Sequence, residues 1–99
     1  MSNWRSPKLL AMAREAPCCL LCGAENCGQV VMAHSNQSRD GKGMSIKAHD
    51  YRVAALCDKC HMEIDQGAKL SRHERQERWE AAHRATVAWL IESGRLVVA

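Results

Sequence analysis

The chain predicts a small α+β domain in which a metal-stapled ββα unit is preceded by a short helix and followed by a long one. Three observations carry this. Two Cys-x-x-Cys knuckles stand at Cys19-Leu20-Leu21-Cys22-Gly23 and Cys57-Asp58-Lys59-Cys60-His61. Two short β-prone runs lie between them, one ending in His34 and one delivering Cys57. A capping box then opens an apolar stripe at helical spacing near the C-terminus. The reading is a single domain over 1–99, with its core in residues 17–67 and the final helix over about 72–93.

Each element has a local cause. Ser6-Pro7 is an N-cap followed by proline at the first helical position, and Leu9, Leu10, Met12 and Ala13 follow at helical spacing. Pro17 stops that run, so a helix is expected over 7–16. After the first knuckle and a polar turn, Gln29 to His34 is β-prone. Residues 35–49 are polar, glycine-containing and without period, and read as a loop. Tyr51 to Leu56 is the second strand. Cys60 to Gln66 favours helix and ends at Gly67, a C-cap candidate. Ser71 and Glu74 form the capping box, and Trp79, Ala82, Thr86, Trp89 and Leu90 line one helical stripe that Gly94 closes. Arg95 to Ala99 is read as an edge strand or a loose tail.

Composition decides between zinc and disulfides for the cysteines. A chain of 99 residues with three Trp, one Tyr and no Phe has little large apolar volume, so a structural metal compensates for a thin core. Six cysteines would allow three disulfides. The N-terminal residues lack the apolar run of a signal peptide, however, and a cytoplasmic setting keeps thiols reduced. No run approaches the roughly 18 apolar residues of a membrane span. Cys19, Cys22, Cys57 and Cys60 are therefore expected to hold one structural Zn²⁺ as thiolates. Cys18 and Cys27 are left over, neither having a partner at knuckle spacing. Buried free thiols are the plain alternative, and the spacing argues against it. A net charge of +3 is compatible with nucleic acid without being diagnostic.

A second cluster follows from the strand order. His34 ends one strand and Asp50 begins the next, so antiparallel pairing places them together at the base of the loop. His61 follows Cys60, and helical neighbours point about 100° apart, so it faces away from the zinc. Asp65 shares the His61 face at i, i+4. His34, Asp50, His61 and Asp65 are expected to converge on a site separate from the zinc.

These residues carry a resemblance. The order Cys-x-x-Cys-Gly, a strand ending in His34, and a strand running into Leu56-Cys57-x-x-Cys60-His61 resembles the HNH (ββα-metal) endonucleases. Ala33-His34, Asp50 before Cys57, and Cys60-His61-x-x-x-Asp65 resemble, more narrowly, the YbcO-like family of phage and prophage HNH-type nucleases. The resemblance covers residues 17–67. It implies metal-dependent hydrolysis of DNA phosphodiesters, with catalytic His34, Asp50 and His61. His34 takes the general-base position, and a divalent cation, Mg²⁺ or Mn²⁺, is held by His61 with Asp50 or Asp65. Many HNH enzymes place an acidic ligand directly before the base, where this chain has Ala33. Asp50 matches the central family position, often Asn, and either binds metal or orients His34; Asn36 is a second orienting candidate.

Plainer readings stand beside these. Arg39, Lys42 and Lys47 in the loop either contact phosphates or keep the loop soluble. Arg72, Arg75 and Arg78 alternate with Glu74, Glu77 and Glu80, a salt-bridged solvent face rather than a DNA-binding helix. His49 reads as a bystander; His73 and His83 as surface or packing residues. A homodimer or protein partner is expected for so small a chain. The alternative to a nuclease is a non-catalytic, zinc-stabilised nucleic-acid-binding or adaptor module. A redox role for the knuckles lacks the βαβ context it needs.

Overall fold

The computed structural model describes residues 3–26, 28–67 and 69–97. Helix α1 is Pro7–Ala13, strand β1 Val30–His34, strand β2 Val53–Cys57, helix α2 Asp58–Asp65 and helix α3 Arg72–Glu92. Among the described residues this makes a small α+β fold of three α-helices, one 3-10 turn at Ser38–Asp40 and a two-stranded sheet. Cys27, expected as a spare cysteine, lies outside the described residues, as do Val98 and Ala99 of the tail.

α1 starts as its sequence dictates, with the Leu9 N–H donating to Ser6 Oγ at 3.1 Å. It ends at Ala13, short of residue 16. The Glu15 and Ala16 N–H groups bond carbonyls three residues back, tightening the final turn. The proline at 17 also disfavours helical backbone at Ala16.

β1 and β2 pair antiparallel, Val30 opposite Cys57 and His34 opposite Val53. β2 starts later than expected because Tyr51 and Arg52 belong to a turn, in which the Arg52 N–H donates to the His49 carbonyl at 2.9 Å. Asp50 therefore sits in this turn, not in the strand. Side chains alternate across the sheet. Ala33, Ala54 and Leu56 join Cys19, Cys60, Ile64, Trp79 and Ala82 in one core cluster, while Val30 and Ala55 pack with Ala16, Met32 and Trp89 in another.

The free edge of β2 is closed by side chain and loop. The Ala55 N–H donates to Thr86 Oγ1 at 3.0 Å, and its carbonyl accepts the Leu20 N–H at 3.0 Å. The fully buried Thr86 thus satisfies a backbone group that would otherwise be orphaned.

α2 begins two residues earlier than expected, with Cys57 as its N-cap, and its C-cap is Gln66 rather than Gly67. Gly67 is required for a different reason than a left-handed turn. A Cβ there would lie 2.6 Å from the Glu63 carbonyl oxygen. The α3 capping box forms as read, Ser71 and Glu74 exchanging both hydrogen bonds. Trp79, Ala82, Thr86 and Leu90 are buried along the expected stripe. No strand forms among the described residues of the tail.

A buried-to-exposed ion network ties the loop after β1 to α3. Arg52 reaches Asp40 at 2.9 Å and Glu80 at 2.7 Å, and lies 4.8 Å over the Trp79 ring. Burial opposes ionisation of Asp40, but hydrogen bonds from Arg52 and Ser35 outweigh it and hold its carboxyl below the usual range.

Candidate metal centre and the adjoining histidine cleft

The four knuckle cysteines meet. Their sulfur atoms all lie within 4.8 Å of one another. The first knuckle is a tight turn, with the Gly23 N–H on the Cys19 carbonyl at 2.9 Å and Gly23 at φ +81°, where glycine carries no Cβ penalty. Cys57 and Cys60 come from the start of α2. Asn26 fastens the knuckle to the end of α1 by donating to the carbonyls of Arg14 and Ala16, at 3.1 and 2.8 Å.

The donor set fits a tetrahedral metal ion such as zinc. Sulfurs about 2.3 Å from one ion lie roughly 3.8 Å apart along a tetrahedral edge. Cys22 Sγ and Cys57 Sγ are 3.8 Å apart. The electrostatics agree. Burial opposes a charge on Cys19, but the N–H groups of Cys22, Cys57 and Leu21 outweigh it and hold that thiol down to about 6. Burial and the neighbouring sulfurs of Cys22, Cys57 and Cys19 push Cys60 above the ordinary thiol range. One thiolate thus suppresses the next, and a divalent cation among them removes the conflict. Cys18 stays outside the cluster, its backbone bridged to Glu25.

His34 and Asp50 also meet, His34 Nε2 lying 2.8 Å from Asp50 Oδ1. Asp50 is 2 % exposed and fully engaged. Arg5 Nη1 donates to Oδ1 at 3.0 Å and the Ser6 N–H to Oδ2 at 2.7 Å. Burial would raise the Asp50 pKa, but the hydrogen bonds from His34, the Ser6 N–H and Arg5 outweigh it and lower it. With Asp50 ionised, His34 Nε2 carries the proton and donates, and in the neutral imidazole Nδ1 is then the acceptor.

Arg5, and the contact of the Ser6 N–H with Asp50, escaped the sequence reading. They belong to a strap over residues 3–6 that lies along the loop. Asn3 donates to the carbonyls of Gly41 and Lys47 at 2.7 and 2.8 Å, and the Asp50 N–H donates to the Trp4 carbonyl at 3.0 Å. His49 faces the other way, accepting the Trp4 N–H at 2.9 Å and stacking on Tyr51.

His61 and Asp65 pair at 2.8 Å across one helical turn, and Asn36 Nδ2 donates to the other Asp65 oxygen at 2.8 Å. His34, Asn36, Lys47, His61 and Asp65 line one cleft of about 290 Å³. Two expectations are corrected here. Asp50 does not join His61 and Asp65 as a cation ligand, because its carboxylate is turned to Arg5, Ser6 and His34. Among the described residues, only the four cysteines gather three or more His, Cys, Asp or Glu donors within 4.8 Å. Asn36 bonds Asp65, not His34.

Ala33 explains itself. It is 1 % exposed in the core, and its carbonyl accepts the Trp79 indole N–H at 2.9 Å. A carboxylate at this position would enter apolar packing. Of the loop cations, Lys47 lines the cleft, Arg39 pairs with Glu80 at 3.1 Å, and Lys42 forms no ion pair among the described residues. His83 packs, bonded to the Val53 carbonyl at 2.8 Å and stacked on Trp79, and burial lowers its pKa. His73 is a surface residue paired with Glu77.

Among the described residues no helix is long and apolar enough to cross a membrane. No family model, curated protein or solved structure matches this chain.

Proposed function

We propose that the chain is a metal-dependent HNH-type endonuclease acting on DNA, with the four cysteines holding a structural Zn²⁺. The observation that carries this reading is the His34–Asp50 pair at 2.8 Å, whose His34 lines a cleft with His61 and Asp65 while Asp50 is buried behind it. Such a pair is what general-base chemistry needs. A carboxylate fixes the imidazole tautomer, and the second ring nitrogen takes a proton from water. Asp50 is then a positioning residue, and His34 the base.

His61 and Asp65 are the residues that would hold the divalent cation. Two donors on one helical face suit an ion such as Mg²⁺ or Mn²⁺ that keeps much of its water. When bound, that ion supplies charge stabilisation to the phosphate. Lys47, on the same cleft, adds positive charge toward the nucleic acid.

A non-catalytic nucleic-acid-binding or adaptor module is the second reading. It is favoured by Ala33, whose packed position offers no acidic ligand beside His34.

Nicking of supercoiled plasmid separates the two. Zinc-loaded protein should nick with Mg²⁺ or Mn²⁺ and not without them. His34→Ala should lose roughly 10²- to 10⁴-fold of the rate while keeping its fold and zinc. Equal nicking by both proteins would remove His34 as the base. Intact plasmid with the folded natural chain would favour the adaptor module.

A further inference from the structure

The arginines of α3 do not form the solvated ion-pair face that their spacing predicts. Glu74 turns back to the Ser71 N–H at 2.9 Å. Glu77 pairs with His73 at 3.0 Å, and Glu80 reaches across to Arg52 and Arg39. The carboxylates of the series are thus spent elsewhere. Among the described residues, none lies within 4 Å of Arg72, Arg75 or Arg78.

Two of these arginines face one cavity. A pocket of about 490 Å³ opens between α2 and α3, lined by Arg72, Arg75 and Gln76 from α3 and by Asn36 and Gln37 following β1. Trp79 and Ile64 give it an apolar floor. One Arg75 Nη donates to the Gly67 carbonyl, while its Nε is buried without an acceptor among the described residues. Asn36 and Asp65 line both this pocket and the His34 cleft, so the two cavities adjoin on either side of that hydrogen-bonded pair. Asp65 is the only carboxylate in the lining, and its oxygens are held by His61 and Asn36.

We infer that this pocket is a phosphate subsite, taking a backbone phosphate of the nucleic acid next to the one presented to His34. Two guanidinium groups match phosphate oxygens in fork geometry, and side-chain amides donate without adding charge, which suits a singly charged diester. The inference rests on the nuclease reading for its substrate class, and it names what holds the strand beyond the cleft.

The test is binding of a fluorescently labelled duplex of about 20 base pairs to the zinc-loaded chain, without divalent cation, across a salt series. Arg72→Gln/Arg75→Gln should weaken binding about tenfold and flatten the slope of log K against log salt by about 0.9, the share of one phosphate. Arg72→Gln alone, at an exposed first-turn position, should weaken it about threefold without disturbing the fold. Arg78→Gln, outside the pocket, should stay within twofold. Unchanged slope in the double variant, equal loss in Arg78→Gln, or no duplex binding by the natural chain at low salt would each overturn the subsite. Tight competition by inorganic phosphate with the duplex slope unmoved would instead mark a free-phosphate site, and overturn it too. A chain that leaves plasmid intact but shows the slope change loses the nuclease and keeps the subsite. One that nicks plasmid without it loses only the subsite.

Discussion

At the start of α2, Cys57 and Cys60 bring their sulfurs to within 4.8 Å of those of Cys19 and Cys22. One turn further on, His61 and Asp65 face a cleft whose polar groups already hold one another: His34 with Asp50, His61 with Asp65, Asp65 with Asn36. The first region concentrates like donors that repel when ionised and could hold a metal ion such as zinc, which would remove that repulsion. The second has its polar groups paired within the protein. Metal binding at the cysteines would therefore be coupled to folding, whereas the cleft needs no ion to pair its groups.

The largest effect is expected at the cysteines. Cys57→Ser should release the metal and lower the melting temperature by more than about 10 °C, since structural zinc binding supplies about 10 kcal/mol or more of folding free energy. Metal content and a thermal melt measure both. Full zinc occupancy with unchanged stability would show that the ligands lie elsewhere.

A smaller effect is expected on the other side. Asp50→Asn keeps the shape but removes the charge that Arg5, the Ser6 N–H and His34 share. Hydrogen bonds to charged groups are worth about 1.5–3 kcal/mol, so a loss of about 1–3 kcal/mol in urea unfolding is expected, with zinc retained. Metal loss in this variant would mean that the two regions are coupled.

The smallest effect is a pH dependence. Asp50 has a lowered pKa in the folded chain, so its contribution is complete above the unfolded carboxyl value near 4 and disappears as pH falls through the folded value. The stability gap between the natural chain and Asp50→Asn should narrow as the pH falls below about 4. A gap that persists undiminished at the lowest pH at which the natural chain stays folded would assign the charge to another group.

The cysteine centre was legible because ligand spacing is local: a knuckle encodes its turn, its glycine and its two sulfurs within five residues. The capping box and the α3 stripe were legible for the same reason. His34 and Asp50 were brought together by strand order alone, although Asp50 sits in the turn ahead of β2. What could not be read lies between distant segments. Nothing periodic links Arg5 to Asp50, 45 positions away. The α3 charges were misread because spacing shows which residues share a helix face, not which of them find a stronger partner across the chain. Glu80 turns to Arg52 and Arg39, and Glu74, four residues before Arg78, turns to the Ser71 N–H instead. Gly67 is not the C-cap expected of it; what needs a glycine there is the close approach to the Glu63 carbonyl.

The strap over residues 3–6 has a consequence for how the molecule assembles. These residues leave the ribosome before their partners, which span Gly41 to Asp50. The segment is made first and docked late, since contacts of long sequence separation must wait for the intervening chain. Until it docks, the Asp50 carboxylate lacks two of its three donors, and His34 has a loosely held partner. Clipping the chain before Ser6, or burdening Asn3 with a bulky fusion, would act like an unfastened clasp: zinc and helices intact, the imidazole no longer held in one orientation.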